Sequence, residues 1–230
     1  MVAAEAGADF VGMMFAESRR KVSREEASEI VRALGTPLGG IEMTSPPSLF
    51  RTEAMDLTSW FEHGATALER LLERKRPLTV GVFADNDPEE VNEIADECGI
   101  DLIQLHGGEP WSACLLANRQ VVRAVHIASE DTAASAQARM QPGSALAVLL
   151  DTASRDVRGG SGSSFDWSVA ADVVKSFPVW LAGGLTPENV SAAIAQVQPW
   201  CVDVSSGVEA DGVKDLAKIR AFVRAAKGAA

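Results

Sequence analysis

Short apolar runs recur along this chain, and most of them stop abruptly on a polar side chain or a pair of glycines. Phe10 to Phe15, Leu78 to Phe83, Asp101 to Leu105, Val121 to Ile127, Ala145 to Leu150, Val179 to Ala182 and Trp200 to Val204 each read as a strand buried on both faces. Helical periodicity fills the gaps. Ser23 followed by Glu26 is a capping box, and it opens a helix with Ala27, Ile30, Val31 and Leu34 on one face. Asp87-Pro88 opens a second helix, striped by Val91, Ile94, Ala95 and Cys98 and closed by Gly99. Further helices are predicted around Trp111 to Ala117, Ser129 to Met140, Asp166 to Lys175, after a cap at Thr186 to Asn189, and over Asp215 to Ala226.

Strands alternating with helices imply a parallel sheet, either an open doubly wound one or a barrel. An open sheet binds its ligand at one crevice, whereas every strand of a barrel can serve one rim. Here the strands end in signals such as Arg20, His106, Asp151, Gly183 and Ser205, which favours an α/β (β/α)8 TIM barrel. Such a barrel needs eight strands and this reading finds seven, beginning inside a helix. The expectation is therefore a single barrel domain over residues 1–230 that lacks its first strand in this chain, the missing strand lying upstream of Met1.

The alternation breaks from about residue 35 to residue 77. Turn chemistry at Gly39-Gly40 and Ser45 to Ser48 gives way to an amphipathic run containing Leu57, Trp60, Phe61, Leu68, Leu71 and Leu72. This helical insertion between the second helix and the third strand of the barrel is too long for a plain connection. It is expected at the N-terminal end of the strands, as a cover for the domain rather than as a subunit contact through Trp60 and Phe61.

Composition narrows the function. With 47% apolar and 23% charged residues the chain is an ordinary globular one, and no apolar run approaches the length of a membrane span. A cytoplasmic location is expected. The three cysteines, Cys98, Cys114 and Cys201, are scattered and odd in number, against a disulfide framework or structural zinc. A formal net charge of −11 argues against nucleic acid, although backbone amides can bind a small phosphate without net positive charge.

Two features carry candidate chemistry. The run ending at Asp151 delivers one carboxyl group to a strand end, and Gly159 to Ser164 follows within a dozen residues, suited to close approach of backbone to an anion. Gly183-Gly184 and Ser205-Ser206-Gly207 end the last two strands, where barrels of this class build a phosphate site. The amides of Gly160, Ser161, Gly162, Gly183, Gly184, Ser205, Ser206 and Gly207 could together surround one phosphate.

The segments AGADFVGMMF, SRRKVS, VGVFAD, QLHG, LLDT, GGSGSSFDW, LAGGLTPENV and VDVSSGVE, in this order, resemble the phosphoribosylanthranilate isomerase family of tryptophan biosynthesis. The resemblance implies a phosphosugar substrate, an Amadori rearrangement and no metal or cofactor; a monomer or homodimer is expected. It implies that Asp151 is the general acid, that Arg20 holds a carboxylate of the substrate, and that His106 and Asp203 contact or support it. A basic surface turn at Arg20 and a loop-bonding role for His106 are the structural alternatives. One family feature has no counterpart here: the general-base cysteine of the first strand. This chain alone is accordingly expected to bind a phosphorylated ligand and turn over substrate poorly. A non-catalytic phosphosugar-binding barrel, or another phosphate-binding barrel enzyme of histidine or tryptophan biosynthesis, is the competing reading.

Overall fold

The computed structural model describes residues 1–38, 56–151 and 167–229. Apart from the first two residues, the chain divides into two compact units. One holds Ala3–Ala124 with Gln141–Ala147, the other Val125–Met140 with Val148–Ala230.

The first unit is a run of parallel strands: β1 (Phe10–Met14), β2 (Leu78–Phe83), β3 (Leu102–Leu105) and β4 (Gln120–His126), the last two residues of β4 belonging to the second unit. Phe10 stands opposite Leu78, Val80 opposite Leu102, and Leu102 opposite Gln120. Every residue of β2 and β3 is buried, as a strand covered on both faces requires. Helix α1 (Val2–Glu5) precedes β1. Helix α2 (Arg24–Leu34) starts at the predicted box: Ser23 accepts from the Glu26 amide while Glu26 accepts from the Ser23 amide. Helix α4 (Pro88–Cys98) is capped by Asp87 and closed by a left-handed Gly99. Val91, Ile94, Ala95 and Cys98 of α4 join Ala27 and Val31 of α2 in one core with Met13, Phe83, Ile103 and Leu105.

The amphipathic run is helix α3 (Leu57–Arg74). Its Phe61 and Leu68 are fully buried, each side chain contributing about 1.5–3 kcal/mol through burial. Trp60 donates from Nε1 to the carbonyl of Ala145 at 2.6 Å, and Gly64 lies so close that an added Cβ would stand 1.8 Å from the Leu146 carbonyl oxygen. Leu146 in turn donates to Val121 near the start of β4. Helix α3 therefore sits at the N-terminal ends of strands, with Trp60 and Phe61 engaged within the chain. Asp101, just ahead of β3, joins three segments: it accepts from the Leu38 amide, Lys75 Nζ at 2.5 Å, and both the amide and hydroxyl of Thr79.

In the second unit, β5 (Ala147–Asp151, all but its first residue in this unit), β6 (Trp180–Ala182) and β7 (Cys201–Val202) are parallel. Helices α5 (Ala133–Gln137), α6 (Ser168–Val173), α7 (Val190–Val197) and α8 (Leu216–Ala229) accompany them. Several of these elements are shorter than the sequence pattern predicts. Helix α5 starts only at the Thr132 capping box, because Asp131 closes a turn on the Ala128 amide first. The Trp111–Leu115 segment is a 3₁₀ turn rather than a helix. Asn189 does not cap α7; its side chain accepts from Thr186 and donates to Gly184, holding the loop before the helix. A hairpin of β8 (Glu209–Ala210) and β9 (Val213–Lys214) turns at Asp211-Gly212, both at positive φ. Asp-Gly is a strong hairpin signal, and the sequence reading, which passes from Gly207 to the helix at Asp215, makes no use of it.

Candidate active site

In the second unit the predicted residues meet at one end of the strands. Asp151 is the last residue of β5, opposite Ala182 of β6, so Gly183 and Gly184 leave β6 at the level of the carboxyl group. The Asp203 amide donates to Leu181 at 2.8 Å, which places Asp203 just past β7 and Ser205 to Gly207 beyond it at that same end. The Asp151 carboxyl is largely covered, with 18% of its side chain exposed.

The two loops are shaped by glycine. Gly183 and Gly184 have φ of 91° and 62°, a left-handed pair that turns successive amides one way. Asn189 accepts from the Thr186 amide and donates to the Gly184 carbonyl, which fixes this turn from behind. Gly207 packs against the same turn: a Cβ there would stand 1.8 Å from the Leu185 carbonyl oxygen. Ser206–Val208 is a short 3₁₀ turn, the extra helical element expected at a phosphate site. Among the described residues, the amides of Gly183, Gly184 and Ser206 donate to no carbonyl or side chain. Lys214 Nζ donates to the Ser205 carbonyl at 2.7 Å and pairs with Glu209 at 3.4 Å, bracing the loop. Gly160, Ser161 and Gly162 lie outside the described residues.

In the first unit, Arg20 and His106 also follow strand ends. Arg20 lies in the loop after β1, where its amide donates to Ser18 Oγ and where it is more covered than Arg19. His106 follows β3, its amide donating to Phe83 at the end of β2. Gln104 Nε2 lies 2.8 Å from His106 Nδ1 and orients the ring. An amide nitrogen can only donate, so in this contact Nδ1 is the accepting nitrogen of the ring.

Two residues that sequence reasoning missed stand at these rims. Arg123, inside β4 and buried, donates to the carbonyls of Leu105, Gly107 and Glu109 and to the Glu109 carboxylate, so one guanidinium fastens the backbone on both sides of His106. His126 is the final residue of β4, with Nδ1 3.6 Å from Asp151 Oδ2. The sequence reading carried this strand one residue further, to Ile127, and so left His126 inside it rather than at its end.

The cysteines stand away from this chemistry. Cys98 is buried in α4 and Cys114 in the 3₁₀ turn after β3; burial pushes both thiols up, Cys114 to about 11. Cys201, half-buried, is the first residue of the two-residue strand β7, two positions ahead of Asp203.

The sequence profile of the family described as N-(5'phosphoribosyl)anthranilate (PRA) isomerase matches residues 52–225. N-(5'-phosphoribosyl)anthranilate isomerase of Dehalococcoides mccartyi is 39% identical, over 100% of this chain and 90% of its own length. The multifunctional tryptophan biosynthesis protein of Phycomyces blakesleeanus is 43% identical over 98% of this chain, which spans only 31% of that longer protein. The crystal structure of phosphoribosyl anthranilate isomerase from Thermotoga maritima superposes with a TM-score of 0.70 at 30% identity, covering 99% of this chain and 92% of that one. The predicted (β/α)8 fold class is the one this likeness supports, and the chain belongs to the N-(5'-phosphoribosyl)anthranilate isomerase family.

Proposed function

We propose that the chain catalyses the Amadori rearrangement of N-(5-phosphoribosyl)anthranilate to 1-(2-carboxyphenylamino)-1-deoxyribulose 5-phosphate in tryptophan biosynthesis. The observation that carries this reading is the placement of the Asp151 carboxyl at the same strand ends as the Gly183-Gly184 and Ser205-to-Gly207 loops. Asp151 gives its proton to the furanose ring oxygen as the C1–O bond breaks. The substrate nitrogen lone pair then forms the C1=N bond, and the ring oxygen becomes the C4 hydroxyl. A general base then takes the C2 proton, and the C–H electron pair forms C1=C2 as the C=N pair returns to nitrogen. The resulting enolamine tautomerises to the ketone. Buried Cys98 and Cys114, with raised thiol pKa values, are not assigned the C2 proton, and neither is Cys201.

The ester phosphate is held by amides of the paired-glycine and Ser-Ser-Gly loops, joined by those of Gly160, Ser161 and Gly162. Arg20 offers a planar fork to the anthranilate carboxylate. His106 donates to a substrate oxygen, and Asp203 supports the bound sugar.

Asp151→Asn tests the reading because it keeps the size and removes the acid. Turnover is expected to fall about 10²–10⁴-fold, while binding of an analogue of the product, reduced 1-(2-carboxyphenylamino)-1-deoxyribulose 5-phosphate, measured by calorimetry, stays within about threefold. Turnover retained in Asp151→Asn excludes Asp151 as the acid. If the unsubstituted chain binds the analogue without turning over substrate, the non-catalytic phosphosugar-binding reading replaces this one.

A further inference from the structure

His126 has no part in the chemistry assigned above, yet it stands closer to the Asp151 carboxyl than an unrelated rim residue would need to. Its Nδ1 lies 3.6 Å from Asp151 Oδ2, with 42% of the imidazole and 18% of the carboxyl side chain exposed. That separation is slightly beyond a hydrogen bond, as catalytic contacts often are before substrate closes around them.

The backbone around this pair is tightly fixed. The Ile127 amide donates to the Asp151 carbonyl at 2.9 Å, locking the end of β4 to the end of β5. Arg139 Nη1 donates to the His126 carbonyl at 3.1 Å, and its Nη2 pairs with Asp131 at 2.7 Å. Asp131 closes the brace by accepting from the Ala128 amide and from Ser135 Oγ, each at 2.8 Å. The turn after β4 is thus built to hold the His126 backbone at one place beside the carboxyl group.

We propose that His126 is a positioning residue for Asp151, donating from Nδ1 to Oδ2 so that the acidic proton is kept on Oδ1. A carboxylic acid carries its proton on one oxygen only. With a donor facing Oδ2, that oxygen serves as the acceptor, and the acidic proton is carried on Oδ1. Protonated or neutral, an imidazole with hydrogen on Nδ1 makes the same contact. The inference rests on Asp151 being the acid, and the experiment below separates the two.

Asparagine places its Nδ2 close to where histidine holds Nδ1, so His126→Asn keeps the donor, while His126→Leu keeps bulk without it. The full chain is compared with His126→Asn, His126→Leu and Asp151→Asn by steady-state kinetics and by thermal unfolding. His126→Leu is expected to lose kcat roughly tenfold, the size of one hydrogen bond to a reacting group, with KM changed less than about twofold. His126→Asn is expected to recover most of that loss, and all three variants to melt close to the parent. Wild-type kcat in His126→Leu overturns the inference, as does an equal loss of kcat in the Asn and Leu variants at unchanged melting temperature. With Asp151→Asn inactive, either of those results removes the role of His126 alone. Turnover in Asp151→Asn removes the acid assignment, and this inference with it.

Discussion

At the scale of single residues, the candidate site depends on where a side chain is absent as much as on where one is present. Gly207 abuts the Leu185 carbonyl so closely that a Cβ would overlap it at 1.8 Å, and the contact is with backbone, which cannot swing aside. Gly207→Ala is therefore expected to push the Ser-Ser-Gly loop away from the Gly183-Gly184 turn and to weaken binding of inorganic phosphate roughly tenfold or more, on the order of the 1–3 kcal/mol that overpacking costs. Titration calorimetry reads this directly, and unchanged affinity would mean that this loop does not hold the anion. The thiols give a second residue-scale expectation. Burial raises Cys114 to about 11, so near pH 8 only about one molecule in a thousand carries its thiolate. In the native protein the half-buried Cys201 should react first with a disulfide reagent, and Cys114 should react at a comparable rate only after unfolding. Asp151 and the glycine pairs were legible in the sequence because each interrupts an apolar run at its end. Arg123 and His126 were not: both lie within the β4 run, where a charged residue reads as a solvated position until its partners are known.

At the scale of elements, the legible features were those decided by local chemistry. The Ser23–Glu26 box and the Asp87-Pro88 start appear as predicted, because capping satisfies amides within one turn and needs no tertiary partner. The hidden features were long-range. Nothing local marks Asp101 as the junction of Leu38, Lys75 and Thr79, yet its carboxylate is buried and accepts from all three. Removing one partner of a buried ion pair strands the other, so Asp101→Ala is expected to destabilise by about 3–5 kcal/mol; chemical denaturation with an unchanged midpoint would show that the junction is idle. The same reasoning applies to the 35–77 insertion. Helix α3 supplies Phe61 and Leu68 to the core and Lys75 to this junction, so its deletion would be read as unfolding rather than as a change in affinity. Helix α8 offers a gentler test through pH. Asp215 accepts from the Lys218 and Ala217 amides, and these bonds hold its carboxyl below the usual aspartate range. A lowered native pKa adds stability above the unfolded value, near 3.9, and that contribution is lost as pH falls through the native one. Asp215→Asn should therefore flatten the pH dependence of stability below about pH 5, seen as parent and variant melting temperatures that converge on acidification.

At the scale of the whole molecule, a chain of net charge −11 is read as binding a phosphate ester, which is itself an anion. Long-range electrostatics opposes that binding, and only short-range donors can reverse it. On the proposed reading those donors are amides of the left-handed Gly183-Gly184 pair and of the turn at Ser206, while the nearby Lys214 is committed to the Ser205 carbonyl and to Glu209. Salt acts differently on the two contributions. The repulsion from distant carboxylates reaches roughly 30 Å at 0.01 M ionic strength and about 8 Å at 0.15 M, whereas a hydrogen bond from a half-buried amide is hardly screened. Affinity for inorganic phosphate should consequently stay level or tighten slightly as potassium chloride rises from about 10 to 150 mM at constant pH, because the screened part of the field is the unfavourable part. A site held by exposed lysines would behave in the opposite way, losing affinity steeply over the same range. Repeating the titration with Lys214→Ala separates the possibilities further. If the lysine acts by bracing the Ser205 carbonyl, affinity drops by a similar factor at every salt concentration; if it acts as the anion's counter-charge, the drop is large at low salt and fades as salt is added.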